Sequence, residues 1–282
     1  MGNQIKTIFL LSALTMVVMV LGEAIGGSQG LWVAFGIALV MNFGLYWFSG
    51  PMVLAKTRAK VVGPTEAPQL YQLVEHLAQR ANLPVPKVAI VNDPAPNAFA
   101  TGRNPAHAVV AVTTGLLNTL SREELAGVLG HELAHVKHRD ILIGSVAAVM
   151  AGVIMILAKV ARFSSLLGHS RSSGRGGSPL VGLVMALVAP LAAAIIQSAI
   201  SRQREYLADD GGADIAGSSL GLASALEKLA QAANRGITLN QASPETASLY
   251  IVNPLNFKGI SQLFATHPPI EERINRLRGL LP

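Results

Sequence analysis

Four long apolar segments constrain the fold of this chain more than any other feature. They cover residues 7–22, 31–48, 141–161 and 179–200, and ionisable side chains occur in them only near an end. Because a helix rises about 1.5 Å per residue, the last two segments are each about 30 Å long and cross or nearly cross a bilayer. Only 13% of the residues are charged. The chain is therefore predicted to be a mainly α, multi-pass membrane protein with about four hydrophobic membrane helices.

The first two segments are predicted to form a membrane hairpin. Trp32, Tyr46 and Trp47 lie near the ends of the second segment, and aromatic side chains at such positions suit a membrane interface. The first segment also has the form of a cleaved signal peptide, because Lys6 precedes an apolar run of suitable length. A second apolar segment follows within ten residues, however, and an anchoring hairpin explains both segments.

Basic residues near the segment ends predict the orientation in the membrane. Eight Lys and Arg residues lie on the side shared by the N-terminus and the His-containing motif described next, and four lie in or beside the loop of the second hairpin. By the positive-inside rule, this distribution favours a motif that faces the cytoplasm, while the basic second loop leaves open whether that hairpin crosses fully. The chain has a net charge of +6, and its basic residues gather beside the apolar segments. They therefore indicate attraction to the lipid bilayer rather than to nucleic acid.

Residues 131–135 read His-Glu-Leu-Ala-His and lie inside a predicted helix. Ser121 and Glu124 have the form of a capping box, and apolar residues follow at helical spacing. Imidazoles four residues apart project from one helical face about 6 Å apart along the axis, which one metal ion can bridge. The Glu132 carboxylate flanks such an ion and can take a proton from a metal-bound water. The alternative is a chance occurrence of the pattern in an ordinary charged helix.

A catalytic zinc site also needs a third protein ligand. Ile141 stands where a metzincin would have its third histidine, and His138 has the character of an exposed or capping residue. Better candidates are Glu205 and Asp209, spaced i, i+4 on a predicted helix. A hairpin between residues 141 and 200 would return this helix to the level of the histidine pair; the alternative is a charged, solvated helix face. The chain has no cysteine, so only imidazole and carboxylate can bind the metal.

Two stretches carry a resemblance to a known family. HELAHVKHRD at residues 131–140 and SRQREYLAD at residues 201–209, separated by two apolar segments, resemble the HtpX membrane metallopeptidases, relatives of the CAAX prenyl endopeptidases and of the gluzincins. The resemblance covers essentially the whole chain and implies one bound Zn²⁺ with Glu132 as general base. The implied zinc ligands are His131, His135 and Glu205. It also implies that Asp209 accepts a hydrogen bond from a ligand histidine, with His131 the preferred donor.

The motifs divide the chain into four parts. Residues 1–50 form an N-terminal membrane helix pair, and residues 51–140 form the first part of a zincin-like α+β catalytic domain with a small β-sheet. Residues 141–200 form a membrane helical hairpin, and residues 201–282 complete the catalytic domain with the third ligand.

A candidate substrate-binding edge lies between two predicted strands, residues 88–91 and 107–112. The intervening stretch contains Pro94 and Pro96, so it can occupy only a sheet edge, to which an extended peptide can add as a further strand. In the resembled families an Asn-Ala-Phe-Ala motif of this kind lies beside the metal. The candidate residues are Asn97, Ala98, Phe99, Ala100 and Thr101. Burial of Phe99 in a plain core strand is the alternative, and the two are compatible.

The C-terminal part supplies two further candidates. His267 precedes two prolines that open a predicted helix, and it either donates a hydrogen bond to the oxyanion of a tetrahedral intermediate or caps and stabilises the fold. Arg273 is expected to pair with a carboxylate near the site. Gly211 and Gly212 permit a turn or kink after the third-ligand helix begins, and residues 235–260 are predicted to form a loop over the site.

Together these features predict an integral membrane zinc metalloendopeptidase. The resemblance implies that it hydrolyses misfolded or damaged membrane proteins and other unfolded polypeptides, as part of a stress response in the bacterial inner (cytoplasmic) membrane that overlaps with the protease FtsH. The chain has no GxxxxGK[ST] pattern, so it is not expected to unfold substrates with ATP. An inactive zinc-binding membrane scaffold is the alternative, against which the intact Glu132 argues. A membrane metal carrier would need ionisable residues within the apolar segments, which have them only near an end, so this function is disfavoured.

Overall fold

A computed structural model of the chain describes residues 3–152, 202–237, 239–240, 249–252 and 268–279. The helices and strands in chain order are α1 (Asn3–Thr57), β1 (Lys60–Val62), α2 (Pro68–Arg80), β2 (Lys87–Val91), β3 (Ala98–Thr101), β4 (Val109–Thr113), α3 (Thr114–Thr119), α4 (Arg122–Lys137), α5 (Asp140–Gly152), α6 (Arg202–Ala216), α7 (Ser219–Asn234) and α8 (Ile270–Leu277). The fold is mostly helical with one small sheet, as predicted. Most of the predicted second membrane hairpin lies outside the described residues.

Helix α1 is folded back on itself at Gly26 and Gly27, where the backbone leaves the helical region. Gly27 has φ 59°, a left-handed conformation that glycine adopts readily. Asn42 Nδ2 donates a hydrogen bond to Thr15 Oγ1 at 2.7 Å, so the two limbs of α1 lie side by side. The limb Gly26–Thr57 has the length and composition to cross a membrane, whereas the apolar run Ile5–Val20 is shorter.

The four strands form one mixed sheet in the order β1-β2-β4-β3. Strand β1 is antiparallel to β2, β2 is parallel to β4, and β3 is antiparallel to β4. Strand β3 therefore occupies an edge. The prediction that a strand begins at His107 was wrong by two residues, because residues Pro105–His107 form a 3₁₀ turn whose N-cap side chain, Asn104, accepts the His107 N–H at 3.1 Å.

Alternate residues of the strands face two separate cores, as the two-residue period of a strand requires. Val88 and Val110 face a core that they share with helices α2, α4, α6, α7 and α8. Phe99 and Val109 face the other way, into a core that includes Val53 near the end of α1. The sheet thus lies between the helices that carry the histidine motif and the end of the long apolar helix.

Two glycines let α4 and α6 approach each other closely. A Cβ atom on Gly130 would lie 2.5 Å from the carbonyl oxygen of Gly212, and one on Gly212 would lie 2.6 Å from the backbone nitrogen of His131. Any side chain at either position would push the helices apart. Helix α6 runs without interruption through Gly211 and Gly212, so the kink that the sequence permits there does not form.

The predicted capping box begins α4 and is tied to α7. The Ser121 N–H donates to Glu124 Oε2 at 2.7 Å, and the Glu124 N–H donates to Ser121 Oγ at 3.3 Å. From α7, Ser224 Oγ donates to Glu124 Oε1 at 2.6 Å and Lys228 Nζ to Oε2 at 2.7 Å. Burial alone would raise the pKa of Glu124, but these hydrogen bonds outweigh it and lower the pKa to about 2.

Replacing Glu124 by glutamine is expected to destabilise the fold by about 2 kcal/mol near neutral pH, because charge-assisted hydrogen bonds are lost. A carboxyl group whose pKa is lowered on folding contributes its full stabilisation of the fold above its unfolded pKa of about 4.3. This contribution is lost as the pH falls toward 2. The difference between wild type and variant should therefore shrink from pH 6 to pH 3 in thermal unfolding of the detergent-purified protein. Glu123→Gln, at an exposed position on the same helical turn, is the control. If the stability difference between wild type and Glu124→Gln does not change with pH, the ionised Glu124 carboxylate is not its source.

Candidate metal centre

Helix α4 presents two histidine rings toward α6. The Nε2 atoms of His131 and His135 lie 3.2 Å apart, and the ring planes are nearly perpendicular at 89°. Glu205, in the first turn of α6, brings Oε2 to 3.9 Å from the Nε2 of His131 and Oε1 to 3.7 Å from that of His135. One potential ligand atom from each residue lies within 4.8 Å of the other two. The structure thus brings the three predicted ligands together.

A carboxylate holds the far nitrogen of each ring. The Nδ1 of His131 is 2.9 Å from Asp209 Oδ1, and the Nδ1 of His135 is 3.0 Å from Asp140 Oδ2. Because a carboxylate accepts a hydrogen bond, each Nδ1 carries a proton, and Nε2 is the nitrogen that each ring offers to a metal ion in its neutral form. Both rings are therefore fixed in the tautomer and orientation that metal binding through Nε2 requires.

Arginines balance the two supporting carboxylates. Arg273, which is 1% exposed, donates from Nε to Asp209 Oδ2 at 2.9 Å and from NH2 to Oδ1 at 2.7 Å. This bidentate geometry is the strongest form of a charge-assisted pair. Arg204 NH1 lies 3.3 Å from Asp140 Oδ1. Helices α8 and α6 thus contribute cations that neutralise the carboxylates behind the histidine rings.

The three side chains fit a zinc ion. Tetrahedral zinc with Zn–N bonds of about 2.0–2.1 Å separates two nitrogen ligands by about 3.3–3.4 Å. The observed separation of the two Nε2 atoms, 3.2 Å, is close to this value, and the nearest Glu205 oxygens are only slightly farther away. Two neutral imidazoles and one carboxylate are also an established donor set for catalytic zinc.

The electrostatic surroundings differ between the two histidines. Burial lowers the pKa of His131 to about 4, so this ring is neutral, as a metal ligand must be. Burial alone would also lower the pKa of His135, but the hydrogen bond to Asp140 and the charges of Glu205 and Glu132 raise it to about 9. The group of carboxylates around His135 therefore attracts a positive charge to this position, whether a proton or a metal ion.

Glu132 lies between the histidine pair and strand β3. It is 2% exposed, and burial raises its pKa to about 7, partly opposed by the charge of His135 and by the nearby Ala100 N–H. A carboxyl group with a pKa near the working pH is suited to exchange protons. The metal centre and the edge strand are thus joined through this side chain.

The outer edge of β3 is engaged at its first residue, Ala98. The Ala98 N–H donates to Asn97 Oδ1 at 3.1 Å, and the Ala98 carbonyl accepts from the Ile251 N–H at 3.2 Å. Asn97 Nδ2 donates in turn to the Val252 carbonyl at 2.8 Å. Ile251 and Val252 therefore lie beside the start of the edge that an extended substrate is predicted to use.

The remaining candidates differ in how the structure places them. Phe99 is buried, with its ring 5.3 Å from that of Tyr250, and Thr101 Oγ1 lies 2.7 Å from Ser145 Oγ on α5. His267 lies outside the described residues, as does most of the predicted loop over the site. Sequence reasoning missed Asp140, although an aspartate five residues after a candidate ligand, just past the end of its helix, was a usable signal.

The buried HExxH helix, the carboxylate from a later helix and the adjoining apolar helices define a membrane metallopeptidase. Comparison with known proteins gives the same class. The sequence matches the model of peptidase family M48 over residues 64–281, and the chain belongs to this family. M48 peptidases depend on zinc, which agrees with the His131, His135 and Glu205 group.

Relatives match nearly the full length of the chain. A protein named "Protease HtpX homolog" from Syntrophobacter fumaroxidans is 53% identical over 283 residues, covering 99% of this chain and 100% of the relative. Another of the same name, from Desulfatibacillum aliphaticivorans, is 54% identical over 289 residues, covering 100% and 91%. The crystal structure of S. mikatae Ste24p has a similar fold, with a TM-score of 0.53 and 18% identity; the match covers 98% of this chain and 65% of that chain.

Proposed function

We propose that the chain is an integral membrane zinc endopeptidase with His131, His135 and Glu205 as its zinc ligands and Glu132 as its general base. The convergence of two carboxylate-supported imidazoles with a third acidic side chain is the observation that carries this proposal. We further propose the division into an N-terminal membrane helix pair, a split zincin-like catalytic domain and a second membrane hairpin.

The chain's own residues account for the proton transfers of peptide hydrolysis. When bound, zinc supplies Lewis-acid chemistry that activates water and polarises the scissile carbonyl. Glu132 takes up the proton that the attacking water loses and passes it to the leaving amine. Asp209 and Asp140 keep the two imidazoles in one tautomer throughout, and Arg273 keeps Asp209 ionised. A hydrogen bond from His267 to the oxyanion remains part of the proposal.

The substrates we propose are misfolded or damaged membrane proteins and other unfolded polypeptides. The apolar helices α1 and α5 adjoin the catalytic part, so a membrane-embedded substrate has direct access to it. The basic residues at the segment ends support a multi-pass protein of the bacterial inner membrane with its site facing the cytoplasm. A role in the stress response, overlapping with FtsH-type proteases, completes the proposal.

Digestion of casein and of a model membrane protein by the detergent-purified chain tests the proposed activity. Cleavage is expected without a chelator, loss of cleavage with one, and recovery when zinc is restored, because the proposed mechanism relies on zinc to activate the water and the scissile carbonyl. Cleavage that persists after the zinc has been shown by metal analysis to be gone would refute the mechanism. Zinc bound at one per chain without cleavage of any substrate would favour the inactive scaffold.

A further inference from the structure

The exposed apolar surface of α1 marks where the bilayer ends. Large hydrophobic side chains are exposed along the limb Gly26–Thr57 from Trp32, 68% exposed, to Met52, 45% exposed. Basic residues follow at Lys56, Arg58 and Lys60. Lipid-facing apolar side chains that give way to lysine and arginine locate the membrane surface between residues 52 and 56.

The catalytic sheet is joined to α1 just inside this boundary. A Cβ atom on Gly50 would lie 3.2 Å from the Cα of Gly102, which directly follows β3, so a side chain at this position requires the helix and strand backbones to move apart by a few tenths of an ångström. The Arg103 guanidinium lies over the Trp47 ring, 4.3 Å from its centroid. Arginine stacked on a tryptophan is favoured where apolar and aqueous surroundings meet. The end of β3 therefore lies at the membrane surface.

Helix α5 provides a second attachment of the same strand. Thr101, the last residue of β3, bonds through Oγ1 to Ser145 Oγ at 2.7 Å. Asp140, the first residue of α5, also holds the Nδ1 of His135. The apolar residues of α5 pack against both limbs of α1 in one buried cluster. The strand end and the histidine pair are thus fixed to the two apolar helices.

Only a short length of β3 separates the membrane surface from the catalytic base. The Glu132 carboxylate lies beside the backbone of Ala100, two residues before Gly102, where α4 packs against β3. A strand advances about 3.3 Å per residue, so the base lies about 7 Å along β3 from its membrane end. A substrate leaving the bilayer in an extended conformation beside β3 reaches the metal centre after a few residues.

We propose that the attachment of β3 to α1 and α5 makes the enzyme selective for peptide bonds close to the membrane. This proposal rests on the proposed peptidase function. The substrate class is an extended segment that directly adjoins a membrane-spanning helix, cut within about six residues of the point where that helix leaves the bilayer. Selection then depends on distance from the membrane more than on side-chain identity.

Cleavage of three matched single-span substrates in proteoliposomes tests this proposal. One cleavable cassette is placed directly after the spanning helix, after a rigid spacer of four EAAAK repeats, or after a flexible Gly/Ser spacer of equal length. The helical spacer holds the cassette about 30 Å from the membrane, whereas the flexible one lets it return. The rigid-spaced cassette should be cut about tenfold more slowly than the adjacent one, because misplaced substrate loses rate steeply.

A pair of helix variants tests the attachment itself. Gly50→Leu inserts a side chain between α1 and Gly102, whereas at Gly44, on the same limb, a Cβ atom would have nothing within 4 Å, so Gly44→Leu is the control. Gly50→Leu should slow cutting of the membrane-adjacent cassette about tenfold relative to the same cassette as a soluble peptide, while Gly44→Leu leaves this ratio unchanged. Zinc content, measured in parallel, should remain one per chain in both variants.

The outcomes separate this proposal from the proposed function. Equal cutting of adjacent and rigid-spaced cassettes by the wild-type enzyme would overturn selection by distance while leaving the peptidase intact. An unchanged ratio in folded, zinc-loaded Gly50→Leu would overturn the role of the attachment. Failure to cut any substrate, including the soluble peptide, would overturn the peptidase and this inference with it.

Discussion

Replacing Glu132 by glutamine is expected to abolish peptide hydrolysis while leaving zinc bound. The amide has the shape of the carboxylate but cannot accept a proton, and general-base catalysis contributes about 10²–10⁴-fold. Zinc should remain because the three converging ligand atoms belong to His131, His135 and Glu205. Strand β3 should keep its position, because its ladder with β4 does not involve Glu132.

The measurement pairs zinc analysis with initial rates of casein digestion. Glu123→Gln makes the same chemical change on the same helix at an exposed position, and it should retain both zinc and activity. Activity of Glu132→Gln within a few-fold of wild type would remove Glu132 as the general base. Loss of zinc from this variant would indicate instead that the carboxylate is a ligand.

Replacing Glu205 by alanine is expected to release zinc and with it all activity. This buried carboxylate, 4% exposed, is the one acidic member of the converging group. Its loss leaves two imidazoles, which bind zinc far more weakly than the three ligands of a catalytic site. Asp209→Asn should have the milder effect of a lost supporting contact, about 10–100-fold in zinc affinity.

Zinc content after dialysis against a weak chelator distinguishes these variants. Asp210→Ala shortens an exposed acidic residue on the same helix and is the control, expected to match wild type. Unchanged zinc content in Glu205→Ala would exclude Glu205 from the ligand set. A loss of zinc from Asp209→Asn as complete as that from Glu205→Ala would mean that Asp209 itself binds the metal.

Local sequence signals predicted the start of the central helix well. A capping box satisfies backbone groups within four residues, so Ser121 and Glu124 were enough to place it. Strand β3 lies at an edge, as predicted, although Pro94 and Pro96, on which the prediction rested, precede the strand. Signals of this kind depend on a few neighbouring residues and do not require knowledge of the rest of the fold.

Contacts across the fold were harder to predict. Asp140 reaches His135 across the turn that ends α4, where Arg139 adopts φ 59°, and helical periodicity does not extend through such a turn. The partner of Arg273, Asp209, lies 64 residues away along the chain. The sequence permits a kink at Gly212, whereas the structure has a close contact between helices there. Glycine has the same appearance in a sequence in both cases.

The buried pairing of Arg273 with Asp209 has a consequence for biosynthesis. His131 and Arg273 are 142 residues apart, with the predicted membrane hairpin between them. A ribosome adds residues from the N-terminus onward, so the nascent chain contains the HExxH motif long before it contains the guanidinium that neutralises the carboxylate behind that motif. Full assembly of the centre therefore waits until the hydrophobic segments have been synthesised.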